Sequence, residues 1–217
     1  MAKKDHIGNR RKRGQLPKRK PDLGYYLIIT DTEETEGNYI EGLKNTLPEE
    51  FRGRLVIKVI NDIKTNDLIN ECLAKAASLS QYCRPWIMFD RDEVPNFDKI
   101  ILDAEKAKIS TAWSNPCLET WFEAYFRDMT YCDTSEICWK KFARLFKEKT
   151  GKDYKKSNKE IYNLLNSCGD EEEAVKRACK KHKEQERMES NPSAMNPCST
   201  VYLLIDEIQK KIKNCRY

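Results

Sequence analysis

Between residues 25 and 113 the chain alternates short β-branched runs with stretches of helical period, and that alternation leaves few folds open. Tyr25–Thr30 (YYLIIT), Leu55–Ile60 (LVIKVI) and Trp86–Phe89 read as strands, and Ile109–Trp113 as a shorter fourth. Thr35–Leu47 sets Tyr39, Ile40 and Leu43 at helical spacing. Asn66–Tyr82 does the same with Leu68, Ile69, Leu73, Ala76, Ala77 and Leu79, and Asn96–Lys108 with Ile100, Ile101 and Ala104. A β-α-β-α-β-α-β order predicts an α/β fold: a mostly parallel sheet flanked by helices, joined by right-handed crossovers.

From residue 116 the strand pattern stops. Leu118, Trp121, Phe122, Tyr125, Phe126 and Met129 mark a buried helix over Pro116–Met129, with Ser114 or Asn115 as its cap and Pro116 in the first turn. Further helical patterns cover 135–149, 158–167, 171–189 and 199–213. The third of these is nearly all charged and belongs on the surface, its acidic start and basic continuation suiting a helix dipole. The expected organisation is a basic disordered tail (1–22) and one domain (23–217), split into an α/β half (23–113) and a mainly helical half (114–217).

Charge separates the tail from the body. Residues 1–20 hold nine Lys or Arg and one Asp, +8 in all, while the whole chain carries +5, so the remainder is −3. Such a tail orders on a polyanion, which makes Arg10, Arg11 and Arg13 candidate phosphate contacts; a solubilising extension is the plainer use. No apolar run reaches membrane length and the start has no apolar signal core, which points to the cytoplasm. The nine cysteines are scattered and never spaced C-x-x-C, as expected of reduced thiols rather than a disulfide framework or a zinc site. Two histidines, His6 and His182, make a Ser-His-Asp or Cys-His centre improbable, and no glycine-rich phosphate loop is present.

Acids at strand ends remain. Asp90 and Asp92 follow the third strand one residue apart; in extended backbone both point to the same side and suit one hard cation such as Mg²⁺. Asp31 follows the first strand. If the two strands are neighbours, Asp31, Asp90 and Asp92 meet at one edge and repel one another unless a cation sits among them. Each acid also has a structural use: Asp31 with Glu34 fits a capping box, and Asp92 with Glu93 fits a turn and N-cap.

Four motifs in order resemble the RloB-like family: Asp31 with Thr35-Glu36 and Tyr39; Asp90-Arg91-Asp92-Glu93; Ser114-Asn115-Pro116-Cys117-Leu118-Glu119-Thr120-Trp121-Phe122; and Asn196-Pro197-Cys198-Ser199-Thr200-Val201 through Leu204. The likeness runs from about residue 24 to the C-terminus. It implies a TOPRIM-like fold and a Mg²⁺- or Mn²⁺-dependent nuclease of bacterial phage defence, acting beside an ABC- or AAA-type ATPase, with RNA, tRNA in particular, ahead of DNA as substrate. On that reading Asp31, Asp90 and Asp92 hold metal, Glu36 and Glu119 complete the catalytic shell, and Arg91 faces substrate phosphate. Where the family usually has Glu-Gly after the first strand this chain has Asp31-Thr32, and Tyr125 stands where His is common. The rival readings are a non-catalytic TOPRIM scaffold that binds nucleic acid or a partner, and a basic-tailed RNA binder whose body forms a homodimer through the Val201–Ile212 apolar stripe.

Overall fold

The computed structural model describes residues 23–215 except Glu33, Glu93 and Ser190. The tail 1–22, with Arg10, Arg11 and Arg13, lies outside the described residues, as does Glu93. The first half runs β1 (Gly24–Thr30), α1 (Thr35–Asn45), β2 (Leu55–Ile60), α2 (Leu68–Ala77), β3 (Arg84–Asp90), α3 (Phe97–Lys106), β4 (Ser110–Asn115). The second half contains α4 (Glu119–Ala124), α5 (Ser135–Thr150), α6 (Ile161–Cys168), α7 (Glu171–Met188), β5 (Cys198–Ser199) and α8 (Val201–Asn214). The sheet order is β2-β1-β3-β4-β5, with the first four strands parallel and β5 antiparallel on the β4 edge. The α/β class and the helical second half stand as the sequence predicts.

Both faces of the sheet are covered, and the period-2 alternation of each strand explains how. Tyr26, Ile28, Trp86 and Met88 point into one core with the apolar faces of α1, α4, α5, α6, α7 and α8. Leu27, Ile29, Ile87 and Phe89 point into the other, against α2 and α3. A fully buried Leu, Ile or Phe contributes about 1.5–3 kcal/mol, so a one-residue slip of β1 or β3 would misplace side chains in both cores at once.

Tertiary pairing changes several local expectations. The helix expected over Pro116–Met129 is confined to Glu119–Ala124, because Ser114 and Asn115 are spent as strand residues against Ser199 and Cys198 and cannot cap it. Strands do not stop at 116: β5 adds two residues, too few to show a period and formed only because the β4 edge is there. The second helix ends at Ala77, and Tyr82 is exposed. Val201, Leu204, Ile205 and Ile208 are buried within the chain's own core, so the stripe assigned to a homodimer is already used.

Candidate active site

β1 has β2 on one side and β3 on the other, so consecutive connections leave the sheet in opposite directions there. In parallel sheets the crevice beyond the carboxyl ends at such a switch point is where ligands bind. A cleft of about 690 Å³ opens at that place, lined by Asp31, Thr32, Glu34, Thr35, Glu36, Asp62, Thr65, Asp90, Asp92, Val94 and Lys156.

Four carboxyl groups interact there, each set by a different element. Asp31 directly follows β1; its backbone N–H donates to Met88 O of the neighbouring strand. Glu36 lies in the first turn of α1 and is buried; the Thr32 hydroxyl donates to it. Asp90 ends β3, and its Oδ2 accepts the Leu118 N–H at 3.0 Å, one residue ahead of α4. That bond does the work of a cap for a helix whose own N-cap residue has no side-chain oxygen to offer. Glu119 opens α4 at 1 % exposure, and Tyr154 Oη donates to its Oε1 at 2.8 Å.

Burial and crowding raise the pKa values of three of these acids, Asp31, Glu36 and Asp90. Burial pushes Asp31 up from 3.8 to about 6 against the hydrogen bond from Thr65. Burial, then the Asp31 charge, pushes Glu36 up from 4.5 to about 8. Asp90 stands well above the ordinary carboxyl range, through burial first and then repulsion by Glu36, Asp31 and Glu119. Glu36 and Asp90 stand close enough that the Glu36 charge adds to the rise at Asp90. Asp31 Oδ1 is buried with no hydrogen-bond partner. Lys156 reaches the same cleft: partial burial works against its charge, but Glu119, Cys117, Asp90 and Glu36 outweigh that and raise its pKa.

The expected site residues divide accordingly. Asp31, Glu36, Asp90 and Glu119 come together. Asp92 lines the rim: β3 ends at Asp90, Asp92 has φ +22°, and the same-side argument for an extended pair does not reach it. Its Oδ1 accepts the Ser135 hydroxyl at 2.7 Å. Arg91 turns its guanidinium inward, donating to Asp92 O at 2.9 Å and Val94 O at 3.1 Å over the Phe97 ring; it fixes the turn rather than presenting a cation to the cleft. The Asp31–Glu34 capping box is absent, since no side chain caps α1. Lys156, Tyr154 and Thr65 escaped the sequence reading, because nothing local to them reports that the turn before α2 and a loop about 120 residues beyond β1 both close over its end.

The donors suit a hard divalent cation in kind: four carboxyls, one oxygen unpartnered, and protons standing where positive charge is needed. Among the described residues no three acidic, thiol or imidazole groups stand as a ready ligand set.

Fold and site define an α/β protein with a crowded carboxylate cleft at the switch point of a parallel sheet. The chain belongs to the RloB-like protein family, whose model matches residues 26–208, from β1 into α8. No curated protein and no solved structure matches it. Among the described residues no helix is long and apolar enough to cross a membrane.

Proposed function

We propose that this protein is a Mg²⁺- or Mn²⁺-dependent, TOPRIM-like phosphodiesterase that cuts RNA, tRNA before DNA, as the effector of a bacterial phage-defence system with an ATPase partner. The observation that carries the reading is the convergence of Asp31, Glu36, Asp90 and Glu119 at the switch-point cleft, where burial raises the pKa values of the first three and repulsion adds to the rise at Glu36 and Asp90. Nothing in core packing requires four acids there; binding of positive charge does. The defence role and the ATPase rest on family membership alone.

Asp31, with its unpartnered oxygen, and Asp90 are the residues to hold the cation, with Glu36 and Glu119 beside them. When bound there, a divalent cation supplies charge stabilisation of the phosphate and a more acidic water. Glu36, buried in the first turn of α1 beside Asp31 and Asp90, is placed to take a proton from the attacking water. Tyr154 holds Glu119 in place, and Lys156 offers the scissile phosphate a positive charge at the rim. Asp92 is assigned to the rim, with Ser135.

The test is cleavage of tRNA, single-stranded RNA and plasmid DNA with Mg²⁺ or Mn²⁺, comparing wild type with Asp90→Ala and the near-isosteric Glu36→Gln. Cutting lost in both variants supports the reading and names the substrate class. Absence of cutting together with absence of Asp90-dependent cation binding rejects it. That second outcome favours the non-catalytic scaffold, to which the lack of a ready ligand set among the described residues also lends weight.

A further inference from the structure

The body of the protein is acidic as a whole, yet one strip of it is strongly basic. Outside residues 1–20 the chain carries −3, but residues 140–159 hold nine Lys or Arg against two acids, a local +7; the rest of the body therefore carries −10. The strip is the outer side of α5 and the turn after it. Phe142, Leu145 and Phe146 face the core, which leaves Lys140, Lys141, Arg144 and Lys147 exposed.

After α5 ends at Gly151 (φ +71°), Tyr154 folds the chain back. Its ring packs edge-on against Phe142 at 4.8 Å and Phe146 at 5.6 Å, and its hydroxyl reaches Glu119. That anchor brings the Lys155–Lys156 pair to the cleft, with Lys156 in its wall.

Three of the strip's cations are paired nearby: Lys140 with Glu136, Lys147 with Asp153, Lys149 with Glu148. Arg144, Lys152, Lys155, Lys156 and Lys159 are exposed and enter no ion pair among the described residues. Arg144 and Lys141 also line, with Arg127, a separate hollow of about 400 Å³ on the outer side of α5. A cluster of unpaired, exposed cations on an otherwise acidic body destabilises the fold by self-repulsion and calls for an anion. A polyanion approaching the cleft meets acids at nearly every wall, so it needs cations beside the cleft rather than inside it.

We propose that the strip formed by Arg144, Lys152, Lys155 and Lys159 holds the phosphates of a nucleic-acid strand, and that Lys156 leads the strand from it into the acidic cleft. The proposal rests on the nuclease reading for its direction into the cleft, but binding by the strip stands or falls separately.

The experiment is anisotropy of a labelled single-stranded RNA with the full chain, in EDTA so that nothing is cut, across a KCl series. Wild type is compared with Lys152→Gln/Lys155→Gln/Lys159→Gln, with Arg10→Gln/Arg11→Gln/Arg13→Gln, and with a remote control on α7 and α8, Lys180→Gln/Lys183→Gln/Lys210→Gln. Each phosphate contact on a single strand contributes about −0.7 to the slope of log K against log salt. The strip variant is expected to lose about 2 from that slope and to bind tenfold or more weakly, with a melting temperature no lower than that of wild type and the remote control at wild-type affinity.

Equal affinity and slope in wild type and strip variant overturn the proposal, as does binding that only the tail variant loses, or a wild type without affinity for RNA. Strip-dependent binding with no cleavage when Mg²⁺ is restored keeps the strip and rejects the nuclease. Cleavage with strip-independent binding does the reverse.

Discussion

Replacing Glu36 by Gln separates the electrostatic account of the cleft from a purely steric one. The folded protein holds the Glu36 proton to about pH 8, whereas an unfolded chain releases it near the ordinary 4.5. Below pH 4.5 both states keep the proton and the buried carboxyl costs nothing extra. Between 4.5 and 8 the folded state binds more protons than the unfolded one, so stability falls as pH rises. At 1.36 kcal/mol per pH unit the full interval amounts to about 5 kcal/mol, an upper bound because Asp31 and Asp90 share the same protons. Gln keeps the shape and cannot ionise. The stability difference between Glu36→Gln and wild type should therefore swing by about 2–4 kcal/mol in favour of the variant between pH 5 and pH 9. Urea unfolding at half-unit pH steps in EDTA measures it, and the same series with Mg²⁺ should flatten the wild-type profile. Parallel profiles for the two proteins would refute the claim that Glu36 is a buried, proton-holding member of an acid cluster.

Three other outcomes test neighbouring parts of the argument. Tyr154→Phe removes the donor to a buried Glu119 oxygen and should cost about 1–3 kcal/mol while lowering any Mg²⁺-dependent cleavage; unaltered denaturation and cleavage would show that this bond positions nothing. Gly42→Ala should destabilise although Ala is the better helix former by about 1 kcal/mol, because the new Cβ meets Tyr162 Cβ at 2.5 Å. Overpacking of that kind costs about 1–3 kcal/mol, and a more stable variant by chemical denaturation would mean that α1 and α6 are not so closely packed. Thiol titration of the native protein with an aromatic disulfide reagent should find Cys168 and Cys215 fast, half-buried Cys179 slower, and all nine only after denaturation; prompt reaction of four or more would contradict the burial of the other six.

Much of the fold was legible because its signals are local. β1, β2 and β3 announced themselves by β-branched runs, and the helices between them by apolar period, since each element must bury a face within its own length. The pairing of β1 with β3 was not local, but it is one the β-α-β order allows, and Asp31 and Asp90 do meet. Asp92 was misplaced for a local reason that a sequence hides: the strand stops at Asp90, and alternation ends with it. The cap of α4 was misassigned because the oxygen that serves it belongs to Asp90, 28 residues away.

By itself, then, the sequence determined the layer architecture, the apolar faces and the set of acids available at strand ends, all of which follow from backbone periodicity and side-chain polarity. Only the tertiary structure decided which acids are buried against one another, that Arg91 is spent on its own turn, that the Val201–Ile208 face is internal, and that Lys156 closes over a strand end far from it in the chain. Those outcomes depend on burial and on distances between segments remote in sequence, and a carboxyl's charge state is set by its neighbours in space.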